Sequence, residues 1–421
     1  MKRLLAVLAS VILVGCSNPA AAVELARSDL PRSAAPAADA TAAAGALNAF
    51  GIDLLRAMHA DGNAVLSPAS IAIALGMARA GARGETATQM DAVLHDIAAD
   101  GHPTWLNALD AALASRTGTF KDANGKDVPV ALRIANAPFA QKGMTLQPDF
   151  LKALAERFDA GVRLVDFVGA TEPSRQAING WVKDQTEARI PELLAKGTLD
   201  EMTRLVLVNA IYLKAAWQHP FDPLLTKPAA FTHLDGSTGD VATMHLSTEL
   251  AYAEGSGWRA VEVPYVGGKL AMTIIVPDDL RTFVAGLDAA TLEAITSGLT
   301  ERQPLVDLAL PLFGTETKLE LADVLSSLGM PAAFDPAKAD FSGMTTEQQL
   351  YVGAVIHQAN IDVDEKGTTA SAATAVVMEA TSLPLDHVVM NVDRPFLFAL
   401  RDVTTGAIVF LGQITSPGPR S

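Results

Sequence analysis

Apolar residues recur along the chain in two periods. Within residues 46–58, Phe50, Leu54, Leu55 and Met58 fall on one helical stripe, and residues 70–80 continue helically behind Ser67 and Pro68, where proline suits a helix start. Both segments predict core helices. Apolar runs of strand length follow at 205–213, 259–264, 270–276, 306–310, 352–363, 396–400 and 408–414, several of them bounded by Gly, Pro or Asp. The last two flank Thr404, Thr405 and Gly406, which predicts an antiparallel hairpin. Helix and strand patterns are interleaved from residue 41 onward with no internal repeat and no second linker. A mixed α+β body follows.

Upstream of residue 41 the pattern changes. Lys2 and Arg3 precede an apolar run at 4–14, too short to cross a bilayer as a helix and suited to the h-region of an export signal. The run closes on Leu13-Val14-Gly15-Cys16, which resembles the bacterial lipobox, where cleavage before the cysteine leaves its thiol to carry lipid. Residues 1–15 are then a lipoprotein signal peptide and Cys16 is the lipidation site, tying the chain to a membrane. Cleavage after the small residues 20–22 is the competing reading and discards Cys16. Residues 16–40, rich in Ala, Pro and Ser, read as a flexible tether, because such a stretch buries too little surface to offset its ordering entropy. The expected location is the cell envelope if the lipid is retained, and the periplasm or extracellular space if the chain is released.

Composition narrows the function classes. The 421 residues carry 47 acidic and 32 basic side chains, a net charge of −15, which argues against a nucleic-acid partner. Hydrophobic residues make up 49%, enough to fill a large core, and the length by itself suggests two or three domains. Cys16 is the sole cysteine, which excludes an intrachain disulfide and any multi-thiolate metal site. The eight histidines show no paired ligand spacing, so neither a metal nor a cofactor is expected. No Gly-x-Ser-x-Gly elbow, His-Glu-x-x-His, phosphate loop or dinucleotide fingerprint occurs. The chain carries no enzyme signature.

One segment stands apart. Residues 367–380, GTTASAATAVVMEA, hold a single charge, Glu379, among small and β-branched side chains. By composition this is an Ala/Thr-rich surface linker or an Ala-rich helix. Written as a strand, it places Thr368, Ala370, Ala372, Thr374, Val376, Met378 and Ala380 on one face, all able to enter a core, and turns Glu379 to the other. Such a segment can join a sheet.

Five stretches resemble the serpin family across residues 45–415. NAVLSPASIAIALGMARAGARGETATQM is similar to the family's second-helix region, with Ser67, Pro68 and Ser70 at positions that form the shutter beneath the main sheet. LVLVNAIYLKAAWQHPFDP carries Asn209 at the shutter asparagine and Trp217 at the breach tryptophan. LGMPAAFDPAKADFSGM and HQANIDVDEKGTTASAAT match the approach to the reactive loop, with His357 as the shutter histidine and Glu365 heading the hinge. DRPFLFALRDVTTGAIVFLGQI matches the closing hairpin.

The resemblance implies one large α+β domain over residues 41–421, built of three β-sheets surrounded by helices, with a reactive-centre loop at about 364–393. It implies a monomeric inhibitor whose partner is a target protease, of serine or cysteine type. That protease cleaves the loop, forms an acyl-enzyme and is dragged to the far pole as the hinge inserts into the central sheet. The hinge comprises Glu365, Gly367, Thr368, Thr369, Ala370, Ser371, Ala372, Ala373 and Thr374, and Glu365 is expected to pair with a base. The family's usual loop length puts the scissile bond at Thr381-Ser382, with Met378 and Leu383 as alternatives, and Thr381 suits proteases that accept small side chains. The competing function is a non-inhibitory serpin acting as a binding or chaperone-like module. Relatives of that kind commonly carry Pro or charge in the hinge, and residues 367–374 here carry neither.

Overall fold

The computed structural model describes residues 23–58, 60–99, 104–368 and 386–418. Among them, nine helices surround three sheets. The helices are α1 (Ala37–Ala57), α2 (Pro68–Arg79), α3 (Gly84–Val93), α4 (Trp105–Ala114), α5 (Pro148–Phe158), α6 (Thr171–Gln185), α7 (Leu280–Gly286), α8 (Ala289–Glu301) and α9 (Ala322–Leu328).

The largest sheet runs in the order β1 (Glu24–Ala26), β5 (Val162–Val165), β4 (Asp127–Gln141), β6 (Leu205–Ala216), β15 (Gly367–Thr368), β14 (Ala354–Asp364) and β13 (Phe313–Glu320), with β3 (Gly118–Lys121) paired to β4. A second sheet orders β2 (Ala64–Leu66), β18 (Ile408–Ile414), β17 (Phe396–Asp402), β11 (Leu270–Pro277), β10 (Trp258–Pro264) and β9 (Ala251–Gly255). The third holds β16 (His387–Asn391), β12 (Leu305–Pro311), β8 (Thr238–Glu249) and β7 (Lys227–Thr232).

The central place of β6 follows from its residues. Both faces are apolar, so the strand is stable only where it is covered on both. Leu205, Leu207, Ile211 and Leu213 join the main core, while Val206, Val208 and Ala210 join a second core with Ile178 and Val182 of α6. α2 lies against β6 and β4 beneath the sheet. Each expected strand is present, and the hairpin closes at Gly406, whose φ is +79°.

The N-terminal expectation needs correction. The tether assigned to residues 16–40 is folded from Val23 onward: β1 pairs antiparallel with β5, and Arg32 Nε donates to Asn107 Oδ1 at 2.7 Å. α1 begins at Ala37, well ahead of residue 46. Two features explain this. Alanine is the best helix former, so Ala-rich composition lengthens α1 once Ala40, Ala43 and Ala44 are buried. Gly161 also admits the segment closely, since a Cβ there would lie 2.5 Å from the Ala26 carbonyl oxygen.

Candidate functional site

Between β6 and β14 the large sheet forms a slot that is closed at one end and wedged at the other. At the closed end the two strands pair directly and in parallel, from Ala354 opposite Val206 to Gln358 opposite Ala210. At the other end β15 lies between them, antiparallel to both. Thr368 faces Val363 on one side and Ala215 on the other, and Gly367 faces Asp364 and Ala216. The first residues of the expected hinge are thus already a strand of the sheet.

Local chemistry fixes that wedge. Asp364 Oδ1 accepts the N–H groups of Lys366 at 2.8 Å and Gly367 at 3.1 Å, tying the turn out of β14. Gly367 holds φ +145°, and a Cβ there would sit 2.2 Å from the Ala215 carbonyl oxygen, so only glycine fits. Thr368 is buried, 1% exposed, and its hydroxyl lies 2.5 Å from the Tyr265 hydroxyl. Trp217 stacks on Tyr265 at 4.4 Å between centroids, and its Nε1–H donates to the Asp364 carbonyl at 2.9 Å. Burial raises the pKa of the Tyr265 phenol far above its ordinary value, so it stays neutral. Glu365 departs from expectation. Its Oε1 accepts the Thr226 hydroxyl at 2.7 Å and no base pairs with it among the described residues. The turn aims the carboxylate at the short segment ahead of β7, where a hydroxyl stands in place of a cation.

A buried polar cluster underlies the closed end. Ser67 caps α2, accepting the Ser70 N–H at 3.2 Å, with Pro68 at the first helical position. The Ser67 N–H donates to His357 Nε2 at 3.1 Å, and His357 Nδ1–H donates to Asn209 Oδ1. Asn209 Nδ2 donates to Ser70 Oγ at 2.6 Å and to Asn136 Oδ1 at 2.7 Å. Asn136 Nδ2 donates to the Ser70 carbonyl at 2.9 Å, closing the network. Burial lowers the His357 pKa to about 3. The cluster therefore bolts β6 and β14 to α2 through neutral hydrogen bonds.

The structure thus brings Ser67, Ser70, Asn209 and His357 together, and it gathers Trp217, Glu365, Gly367 and Thr368 at the opposite end of β6. Asn136, Tyr265 and Thr226 are additions. Asn136 left one trace in the sequence, a polar amide inside an otherwise strand-like run. Cys16, Thr369, Ala370, Ser371, Ala372, Ala373, Thr374, Thr381 and Ser382, with Met378 and Leu383, lie outside the described residues. Among the described residues, no group of three or more His, Cys, Asp or Glu side chains is placed to hold a metal ion.

Known proteins share the family and the fold. The family described as Serpin (serine protease inhibitor) matches residues 45–417. Leukocyte elastase inhibitor from Equus caballus is 37% identical over 383 residues, covering 87% of this chain and 97% of the relative. The protein of that name from Homo sapiens is 35% identical over 382 residues, with the same coverage. Among solved structures, a thermophilic serpin, tengpin, in the native state superposes with a TM-score of 0.81 at 27% identity, covering 93% of this chain and all of that one. Native protease nexin-1 with heparin superposes at 0.75 with 29% identity, covering 90% of this chain and 99% of that one.

Proposed function

Since the chain belongs to the serpin family of serine protease inhibitors, we propose that it acts as a suicide substrate whose cleaved loop completes the strand that β15 begins. The observation that carries this reading is Gly367 and Thr368 lying between β6 and β14, antiparallel to both. Extending that register places Ala370 opposite Ile361 and Leu213. Thr374 then falls in the row of His357 and Asn209. Insertion beyond Ala372 must therefore part the five rows where β6 and β14 pair directly, and at Thr374 it must separate Asn209 from His357. The polar cluster is a latch on the slot.

The chemistry of capture is short. A target's serine hydroxyl attacks the Thr381 carbonyl, the amine of Ser382 departs, and an ester links protease to loop. The inserting strand forms on the order of ten ladder hydrogen bonds at about 1 kcal/mol net each, comparable to the stability of a protease domain. Distortion of the trapped active site then stalls ester hydrolysis. Thr381 in the primary pocket fits a serine protease that accepts small residues, in keeping with the elastase in the relatives' name, leukocyte elastase inhibitor.

Thr374→Arg tests insertion directly, because Thr368 is already buried in the intact sheet whereas the register brings residue 374 to the row of Asn209 and His357 only on insertion. Arginine cannot be buried in that row, so incubation with an elastase-type protease is expected to yield cleaved inhibitor and free enzyme in place of an SDS-stable complex. A complex at wild-type yield sinks the reading. The inhibitor works as a monomer, exported by residues 1–15 and held at the envelope by lipid on Cys16. Cys16→Ala is expected to move the protein from the membrane fraction to the soluble fraction, and an unchanged membrane fraction refutes the anchor.

A further inference from the structure

Beside the polar cluster under the slot, a cleft of about 310 Å³ opens between α6, β4, β5, α2 and the N-terminal segment. Its cations are not equivalent. Arg27 pairs with Asp159, and Arg32 pairs with Asp110 at 2.8 Å. Arg163 pairs with no carboxylate among the described residues. Its guanidinium lies 4.9 Å from the ring centroid of Trp181, and burial without an anion lowers its pKa. Trp181 also lines the cleft, and its Nε1–H is shielded from solvent with no hydrogen-bond partner. The edge of Phe139, 5.7 Å away between centroids, holds that ring in place.

A half-buried guanidinium that has lost water without gaining an anion is an incomplete site. One uncompensated charge suits a monoanion, and the planar fork of arginine suits a carboxylate. Part of the remaining wall is apolar, with Ile73, Met77 and Phe158 facing the same space as the amides of Asn136 and Gln185. We propose that this cleft binds a small apolar carboxylate, its carboxyl on Arg163 and its hydrocarbon body against Phe158 and Met77. Asn136 lines the cleft as well, and its amide belongs to the polar cluster under the slot. An occupant there touches the latch from behind. That coupling rests on the insertion reading, whereas binding does not, so binding alone is the test.

Titration of the full chain with 2-naphthoate by isothermal calorimetry measures it. Saturable 1:1 binding is expected, weakened about tenfold or more by Arg163→Gln, with the neutral analogue 2-acetylnaphthalene binding more weakly than naphthoate by a similar factor. Arg133→Gln, which removes a surface arginine paired with Glu187, is expected to leave affinity unchanged. Circular dichroism checks folding. Should the glutamine variant not fold, Arg163→Lys decides, since losing the fork while keeping the charge is expected to weaken naphthoate a few-fold and leave the neutral analogue unaffected. No binding up to about 1 mM, equal binding by wild type and the Arg163 variant, or equal binding of the neutral analogue overturns the proposal.

Discussion

His357 is uncharged in this fold because both ring nitrogens are already committed. Nδ1–H donates to Asn209 and Nε2 accepts from the Ser67 N–H, so a proton added at Nε2 would point at another donor inside a water-free site. Burial lowers the pKa to about 3, against about 6.5 for an unfolded histidine. Between those values the unfolded chain binds the extra proton and the native chain does not. Stability is then fully present above about pH 6.5 and declines as pH falls below it. Each pH unit in that window costs about 1.4 kcal/mol, so the native protein is expected to lose about 2 kcal/mol between pH 6.5 and 5, above the range where most carboxylates titrate. Chemical denaturation at both pH values measures the loss. His357→Gln is expected to be less stable at pH 7 and to show a flatter profile between these two points. An unaltered slope in that variant would assign the pH dependence to other groups.

At the scale of elements, legibility followed from how completely a segment's own pattern decides its surroundings. The strands at 205–213, 270–276 and 408–414 were readable because continuous apolar runs tolerate only interior positions, and β6, β11 and β18 occupy them. The members of the buried polar cluster were readable only through their motif context. Ser67, Asn209 and His357 are far apart in sequence and meet through sheet register, and periodicity does not encode that meeting. Asn136 joins the same cluster from β4 and had no motif to mark it. The segment from Val23 to Ser33 was misread for the opposite reason. Its small and polar residues lack a hydrophobic stripe, and order comes from partners it meets late, with β1 on the β5 edge and Arg32 on Asn107. The Glu365 contact failed on direction, since chain position identified the carboxylate but the turn at Asp364 decides that it faces Thr226.

For the whole molecule, the question is whether the intact fold lies at its free-energy minimum. The large sheet contains a strand position begun by two residues, Gly367 and Thr368, above direct β6–β14 pairing at Ala354–Gln358. Filling it exchanges one parallel interface for two antiparallel ones. A strand continued from Thr368, which looks into the core toward Tyr265, would put even-numbered residues on that face, so under the proposed insertion the exchange would also bury side chains. Under the proposed mechanism, a gain of about 10 kcal/mol from on the order of ten ladder bonds would become accessible once cleavage separates the segment from β16. In a domain of this size each kcal/mol moves the melting point by about 1 °C. Loop-nicked protein is therefore expected to melt on the order of 10 °C above intact protein, read by calorimetry on the same preparation before and after limited proteolysis. Thr374→Arg supplies the internal control, because its nicked form cannot seat the strand in the row of Asn209 and His357 and is expected to melt with its own intact form. Coincident melting points for intact and nicked wild type would place the intact fold at its minimum and favour a binding module over a trap.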